Sequence, residues 1–173
     1  DVGATTYYYW VYLGASGDCP ADRKDSNADI TEVRFTSDGT KLYGLIKFQD
    51  VSDVSKPHIS IALDSDLNPA DTGESWIGDD SGTTLKYGFQ FAERIIDLHV
   101  TEASGTQAVE IYDPVNGTWY GDPSHYEIVI DDTNDCIEFS VEWQHLGLDP
   151  TNFLPGLIRV TVASFLNNIT WNN

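Results

Sequence analysis

The sequence predicts an all-β protein: a two-sheet antiparallel β-sandwich, jelly-roll-like, of about ten strands. Three observations predict it. Short runs in which apolar and polar residues alternate recur along the chain, and that is the period of a strand with one buried face. Turn-forming Asp, Asn, Gly and Pro separate these runs at short intervals. The acidic residues are mostly Asp, 20 against 8 Glu, and Asp favours turns where Glu favours helices. Length of 173 residues and the lack of an internal repeat fit one domain over 1–173 with a core of its own.

Taken in order, residues 7–13 (YYYWVYL) form the most apolar run and read as a strand covered on both faces. Residues 18–29 are a polar loop. A hairpin follows: 30–36, the turn Ser37-Asp-Gly-Thr40, and 41–48 with Leu42, Gly44, Ile46 and Phe48 on one face. His58–Asp64 alternates Ile59, Ile61 and Leu63 with Ser60, Ala62 and Asp64, the signature of a half-buried strand. Alternation returns at 85–91, 95–101 and 107–112. A Gly/Pro/Asp-rich loop carrying Trp119 and Tyr120 precedes the strand 126–130. The turn 131–135 then leads into 136–143, with Ile137, Phe139, Val141 and Trp143 inward. Trp143–Leu148 is the one candidate helix, and 158–166 is a closing strand.

Charge narrows the partners. With 28 acidic and 9 basic residues the net charge is -19, which repels nucleic-acid phosphates and anionic membrane surfaces. No run of 18 apolar residues is present to span a bilayer. The chain opens at Asp1 without a signal peptide, as a mature protein or an excised domain would. The sequons Asn116-Gly-Thr118 and Asn168-Ile-Thr170 favour an extracellular or cell-surface glycoprotein. Cys19 and Cys136, 117 positions apart, lack metal-type spacing. In an oxidising compartment they would pair, stabilising by roughly 4–5 kcal/mol on the chain-entropy model; otherwise they are two buried thiols.

Candidate chemistry concentrates after the strand that begins at His58. Asp64-Ser-Asp66-Leu-Asn68-Pro-Ala-Asp71-Thr-Gly73-Glu74 presents oxygen side chains at alternate positions, a spacing suited to Ca²⁺, which takes six to eight oxygens. It is not an EF-hand, because Pro69 stands where that loop needs glycine. Solvated Asx turns are the alternative. The histidines, His58, His99, His125 and His145, fall singly, without carboxylate or cysteine at ligand spacing. Glu138 and Glu142 share a strand face but lie about 13 Å apart, beyond the 5–9.5 Å of a glycosidase pair. No nucleophile elbow, zinc motif or phosphate loop occurs, so the chain reads as non-enzymatic.

The order of features resembles the calcium-binding C-terminal domains of glucodextranase, which are related to family 9 carbohydrate-binding modules and DOMON domains. The resemblance rests on Asp29-Ile30 opening a strand, the segment Ser37–Phe48, Ile61–Pro69 with Thr72-Gly73, and Phe139–Leu148. It implies an extracellular β-sandwich in which a cation ties the N-terminal acidic loop to the first shared strand. Carried over, that points to Asp18 and Asp29 with Asp25, and to Asp64 and Asp66 as a second site.

Two functions follow from these readings. A carbohydrate-binding accessory domain for polysaccharide or cell-surface glycan needs aromatic platforms, for which Trp76, Trp119, Tyr120 and Trp171 are candidates if they do not pack on the core. A subunit of an extracellular filament or surface layer needs a strand exchanged between copies. For that, the N-terminal apolar segment 1–17, with Tyr7, Tyr8, Tyr9, Trp10, Val11, Tyr12 and Leu13, is the candidate.

Overall fold

Alternation of Leu42, Gly44, Ile46 and Phe48 with Lys41, Tyr43, Leu45 and Lys47 directs one set into the core and leaves the other half-buried. That strand, β3 (Lys41–Phe48), forms a hairpin with β2 (Ile30–Ser37), and Gly39 supplies the positive φ of +87° at the turn. The computed structural model describes residues 10–13, 25–65, 76–78, 84–86, 92–101, 104–149 and 158–166. The remaining strands are β1 (Trp10–Leu13), β4 (Pro57–Asp64), β5 (Trp76–Gly78), β6 (Thr84–Lys86), β7 (Arg94–Val100), β8 (Gln107–Asp113), β9 (Thr118–Tyr120), β10 (Tyr126–Asp131), β11 (Cys136–Glu142) and β12 (Arg159–Leu166).

Two five-stranded antiparallel sheets result. Sheet A runs β1-β2-β3-β11-β10 and sheet B runs β12-β4-β7-β8-β9, while β5 and β6 form a separate two-stranded ribbon. The chain is an all-β sandwich, as its alternation predicts. Phe35, Ile46, Ile137, Phe139 and Val141 from sheet A meet Ile59, Ile61, Leu63, Ile96, Leu98 and Ile111 from sheet B in one core. Burying each such side chain contributes about 1.5–3 kcal/mol. The inward position opposite both Phe35 and Phe139 is Gly44. The two rings meet edge to face at 6.3 Å, and a Cβ on Gly44 would fall inside the Phe139 ring.

Side chains close the sandwich where backbone pairing ends. Gln107 accepts from Ile130 N–H at 2.9 Å and donates to its carbonyl at 3.4 Å, so an amide of sheet B occupies the free edge of β10. Trp143 Nε1 donates to Ser37 Oγ at 2.8 Å, fastening the end of β11 to the β2–β3 turn.

Three expectations need correction. Trp143–Leu148 is not a helix but a hydrogen-bonded turn, which Gly147 leaves with φ +67°. One short 3-10 turn, Pro123–His125, is capped instead by Asp122, which accepts from Ser124 N–H. Strand β4 is buried along all eight residues rather than on one face; His58, Ser60 and Asp64 only resemble a solvent face by residue type. Cys136 is a buried free thiol, so the expected bridge from Cys19, which lies outside the described residues, is not formed. Its strand places it between Lys47 and Asp131 in register.

Candidate binding site

Because the odd-numbered residues of β4 fill the core, His58, Ser60, Ala62 and Asp64 lie on the outer face of sheet B. The register sets Ser60 opposite Asp97, and Asp97 opposite Glu110. On the same face the His58 and His99 rings stack at 4.8 Å. His58 Nε2 lies 3.2 Å from Asp97 Oδ2, and His99 Nε2 lies 3.3 Å from Glu110 Oε2. His58, Asp97 and His99 are 2, 0 and 3 % exposed, so the His58 imidazole beside the Asp97 carboxylate helps offset its lost hydration, whereas Glu110 stays partly open to water. The His99 hydrogen bond, with the nearby charges of His99 and His58, holds the Glu110 carboxyl below its ordinary range against the opposing effect of burial. Nearly parallel rings send their in-plane lone pairs to different points. Among the described residues no three His, Cys, Asp or Glu groups are arranged to hold a metal.

The exposed edge of this sheet differs in character. Trp119 pairs with Tyr112 across β9 and β8, their rings 5.1 Å apart and tilted by 44°. Trp119 remains 41 % exposed, giving an aromatic surface open to solvent. It sits on a strand, not in the loop expected from its Gly/Pro surroundings. Its neighbour Tyr120 faces the other way. Tyr120 packs against the core and its hydroxyl donates to the His145 carbonyl at 3.0 Å, so it is a fastening rather than a platform. Burial raises its phenol above the ordinary range.

The preceding turn is held by Asp113, whose carboxylate accepts from Val115 N–H, Asn116 N–H and the Asn116 side-chain amide. Asn116 itself is exposed, as a glycosylation acceptor must be. Nearby, His125 and His145 stack at 4.8 Å, and Glu142 Oε2 lies 2.8 Å from His125 Nδ1. The four histidines are therefore not scattered singly; they form two stacked pairs, each with a carboxylate.

The acidic residues divide. Asp25 Oδ1 accepts from the Asn27 backbone and side chain at 3.0 and 2.7 Å, and Asn27 bridges on to Ser52 and Asp53. Asp29 and Asp64 are both 3 % exposed; the Arg159 guanidinium lies 3.6 Å from Asp64. Asp18, Asp66, Asn68, Asp71 and Glu74 lie outside the described residues, as do Tyr7, Tyr8, Tyr9, Asn168 and Trp171. Trp76 opens β5. Trp10, Val11, Tyr12 and Leu13 make up β1, which pairs with β2 of its own chain.

A groove of about 420 Å³ crosses the outer face of sheet A between Arg34, Tyr43, Leu45, Val129, Glu138 and Ser140. Tyr43 on its wall donates its hydroxyl to Asp38 at 2.8 Å, and Phe35 and Phe139 also line the groove.

No protein-family model matches the chain, and no curated protein matches it. What it shares with the family it resembles is the two-sheet antiparallel all-β architecture.

The buried His58–Asp97 pair and the half-buried His99–Glu110 pair escaped the sequence reading. Their signal was present, in polar residues spaced two apart on otherwise apolar strands. The register that brings them together is a long-range property.

Proposed function

We propose that this chain is a non-catalytic, calcium-stabilised extracellular β-sandwich that binds polysaccharide or cell-surface glycan, as the glucodextranase-like and family 9 resemblance implies. One observation carries the reading: the Trp119–Tyr112 pair, an exposed aromatic surface on the edge of sheet B. Sugar rings present C–H faces that stack on such surfaces, while neighbouring polar groups take their hydroxyls. Asp113, Asn116 and Asp122 flank it in sequence. Calcium would draw on Asp29 with Asp25, the acidic residues to which the resemblance points, as oxygen ligands.

Affinity electrophoresis through gels containing soluble polysaccharides tests the binding reading. The native chain should be retarded by at least one glycan, and Trp119→Ala should weaken that retardation about tenfold or more without changing the circular dichroism spectrum. Equal mobility of the two proteins in every glycan gel would refute it.

A second reading, a filament or surface-layer subunit, is favoured by the place of β1. It is a short strand near the N-terminus, joined to the sheet along one side by β2, and such a strand can be supplied by a neighbouring copy.

A further inference from the structure

We propose that the stacked His125–His145 pair is an acid-sensitive latch that fastens the 118–125 segment, and with it Trp119, to the 143–148 turn. The segment is held to that turn by three described contacts. Asp122 N–H donates to His145 Nε2 at 3.3 Å. The two imidazoles stack at 4.8 Å with their planes 18° apart. The Tyr120 ring meets His145 edge-on at 5.3 Å while its hydroxyl bonds the His145 carbonyl. The first contact sets the chemistry. A backbone N–H can only donate, so His145 Nε2 must be an unprotonated acceptor, and the His145 proton sits on Nδ1.

Protonating Nε2 places a donor against a donor and loses that hydrogen bond. It also puts a cation face to face with His125, whose Nδ1 is anchored 2.8 Å from Glu142 Oε2. The groups facing the pair come from every packed element. Asp122 lies with His125 at the 3-10 turn, its Oδ2 4.0 Å from His125 Nε2. Glu142 is at the end of β11 and the Tyr120 hydroxyl is on β9. Arg94 of β7 bonds the Leu146 carbonyl in the same turn and stands 3.7 Å from Asp113. Burial, and then the charge of His125, push the His145 imidazole below its ordinary range; Asp122 and Glu142 oppose that shift without reversing it.

The sign follows. The latched state binds fewer protons than the released one, so it is favoured at neutral pH and lost as pH falls below the ordinary histidine value of about 6.5. Since β9 is only three residues long, losing the Asp122 contact loosens the end of the strand that carries Trp119, while the Tyr120 hydroxyl keeps its bond to the His145 carbonyl. The consequence for glycan retention rests on the reading proposed above; the latch itself does not.

Two-dimensional NMR of the full chain between pH 8 and pH 4.5 tests it. The His145 imidazole and the Asp122 amide should titrate with one shared midpoint below 6.5. Exchange at the Asp122 amide, corrected for its intrinsic rate, should rise about fivefold across it, the weight of one ordinary hydrogen bond. In His145→Gln, whose side-chain carbonyl can still accept from Asp122 and does not titrate, the transition should vanish. Separate midpoints in the native chain would overturn the latch whether or not the variant folds. So would persistence of the amide transition in His145→Gln. Absent retention on polysaccharide at both pH 7.5 and pH 5, alongside the intact NMR transition, supports the latch and refutes the glycan reading alone.

Discussion

Gly44 shows how one residue sets the packing between two strands. It lies opposite Phe35 on β2 and Phe139 on β11, on the face that looks into the core, and the Phe139 ring occupies the volume where its side chain would be. A methyl group there must displace an aromatic ring that has core residues around it. Gly44→Ala is therefore expected to destabilise by about 1–3 kcal/mol, the usual cost of overpacking, read as a lower urea midpoint at unchanged slope. An unaltered midpoint would mean that the Phe139 ring has room to move. From the sequence alone Gly44 looked like one inward residue among four. Its special role depends on which residue the third strand brings opposite it.

At the scale of elements, β4, β7 and β8 bury polar groups on the face of sheet B turned away from the main core. The Glu110 carboxyl is held below its ordinary range chiefly by the His99 hydrogen bond. The native state thus binds fewer protons than the unfolded chain around the carboxyl pKa. Stability from this group is present above the unfolded value near 4.5 and is lost as pH falls through the lower folded one. Glu110→Gln should flatten the acid limb of the melting temperature as pH falls below about 4.5, with little change at pH 7.5 beyond a uniform offset. A limb of unchanged slope would show that other carboxylates govern acid unfolding. The strand periods were legible in the sequence because alternation is local. The second buried face was not, because Ser60, Asp97 and His99 are residue types that usually face water.

For the whole molecule, a net charge of -19 makes self-repulsion a persistent cost, and bound cations relieve it. If Asp25 and Asp29 contribute to a calcium site, then calcium at a hundred times its dissociation constant adds about 2.7 kcal/mol. A chelator should lower the melting temperature correspondingly, and Asp29→Asn should abolish the difference between calcium and chelator. Identical melting curves in calcium and chelator would count against the cation. The N-terminal strand offers a second test at this scale. Removing residues 1–13 takes away β1 and exposes the edge of β2. A truncated chain that stays folded but no longer assembles supports donation between copies; one that unfolds as a monomer shows that β1 serves its own sheet.

By itself the sequence determined the fold class, most strand positions and the core-facing sets of the 41–48, 58–64 and 136–143 strands, because these follow from side-chain alternation and turn chemistry within a few residues. It also marked Trp119 and the sequon at Asn116. Only the tertiary structure decided that Tyr120 turns inward to bond the His145 carbonyl, that β4 is buried on both faces, and that Cys136 is a free thiol. It alone paired His58 with His99 and His125 with His145, from positions 41 and 20 residues apart. The reason is register and sheet order: a strand's period tells which residues share a face, but not which strand lies beside it or at what offset.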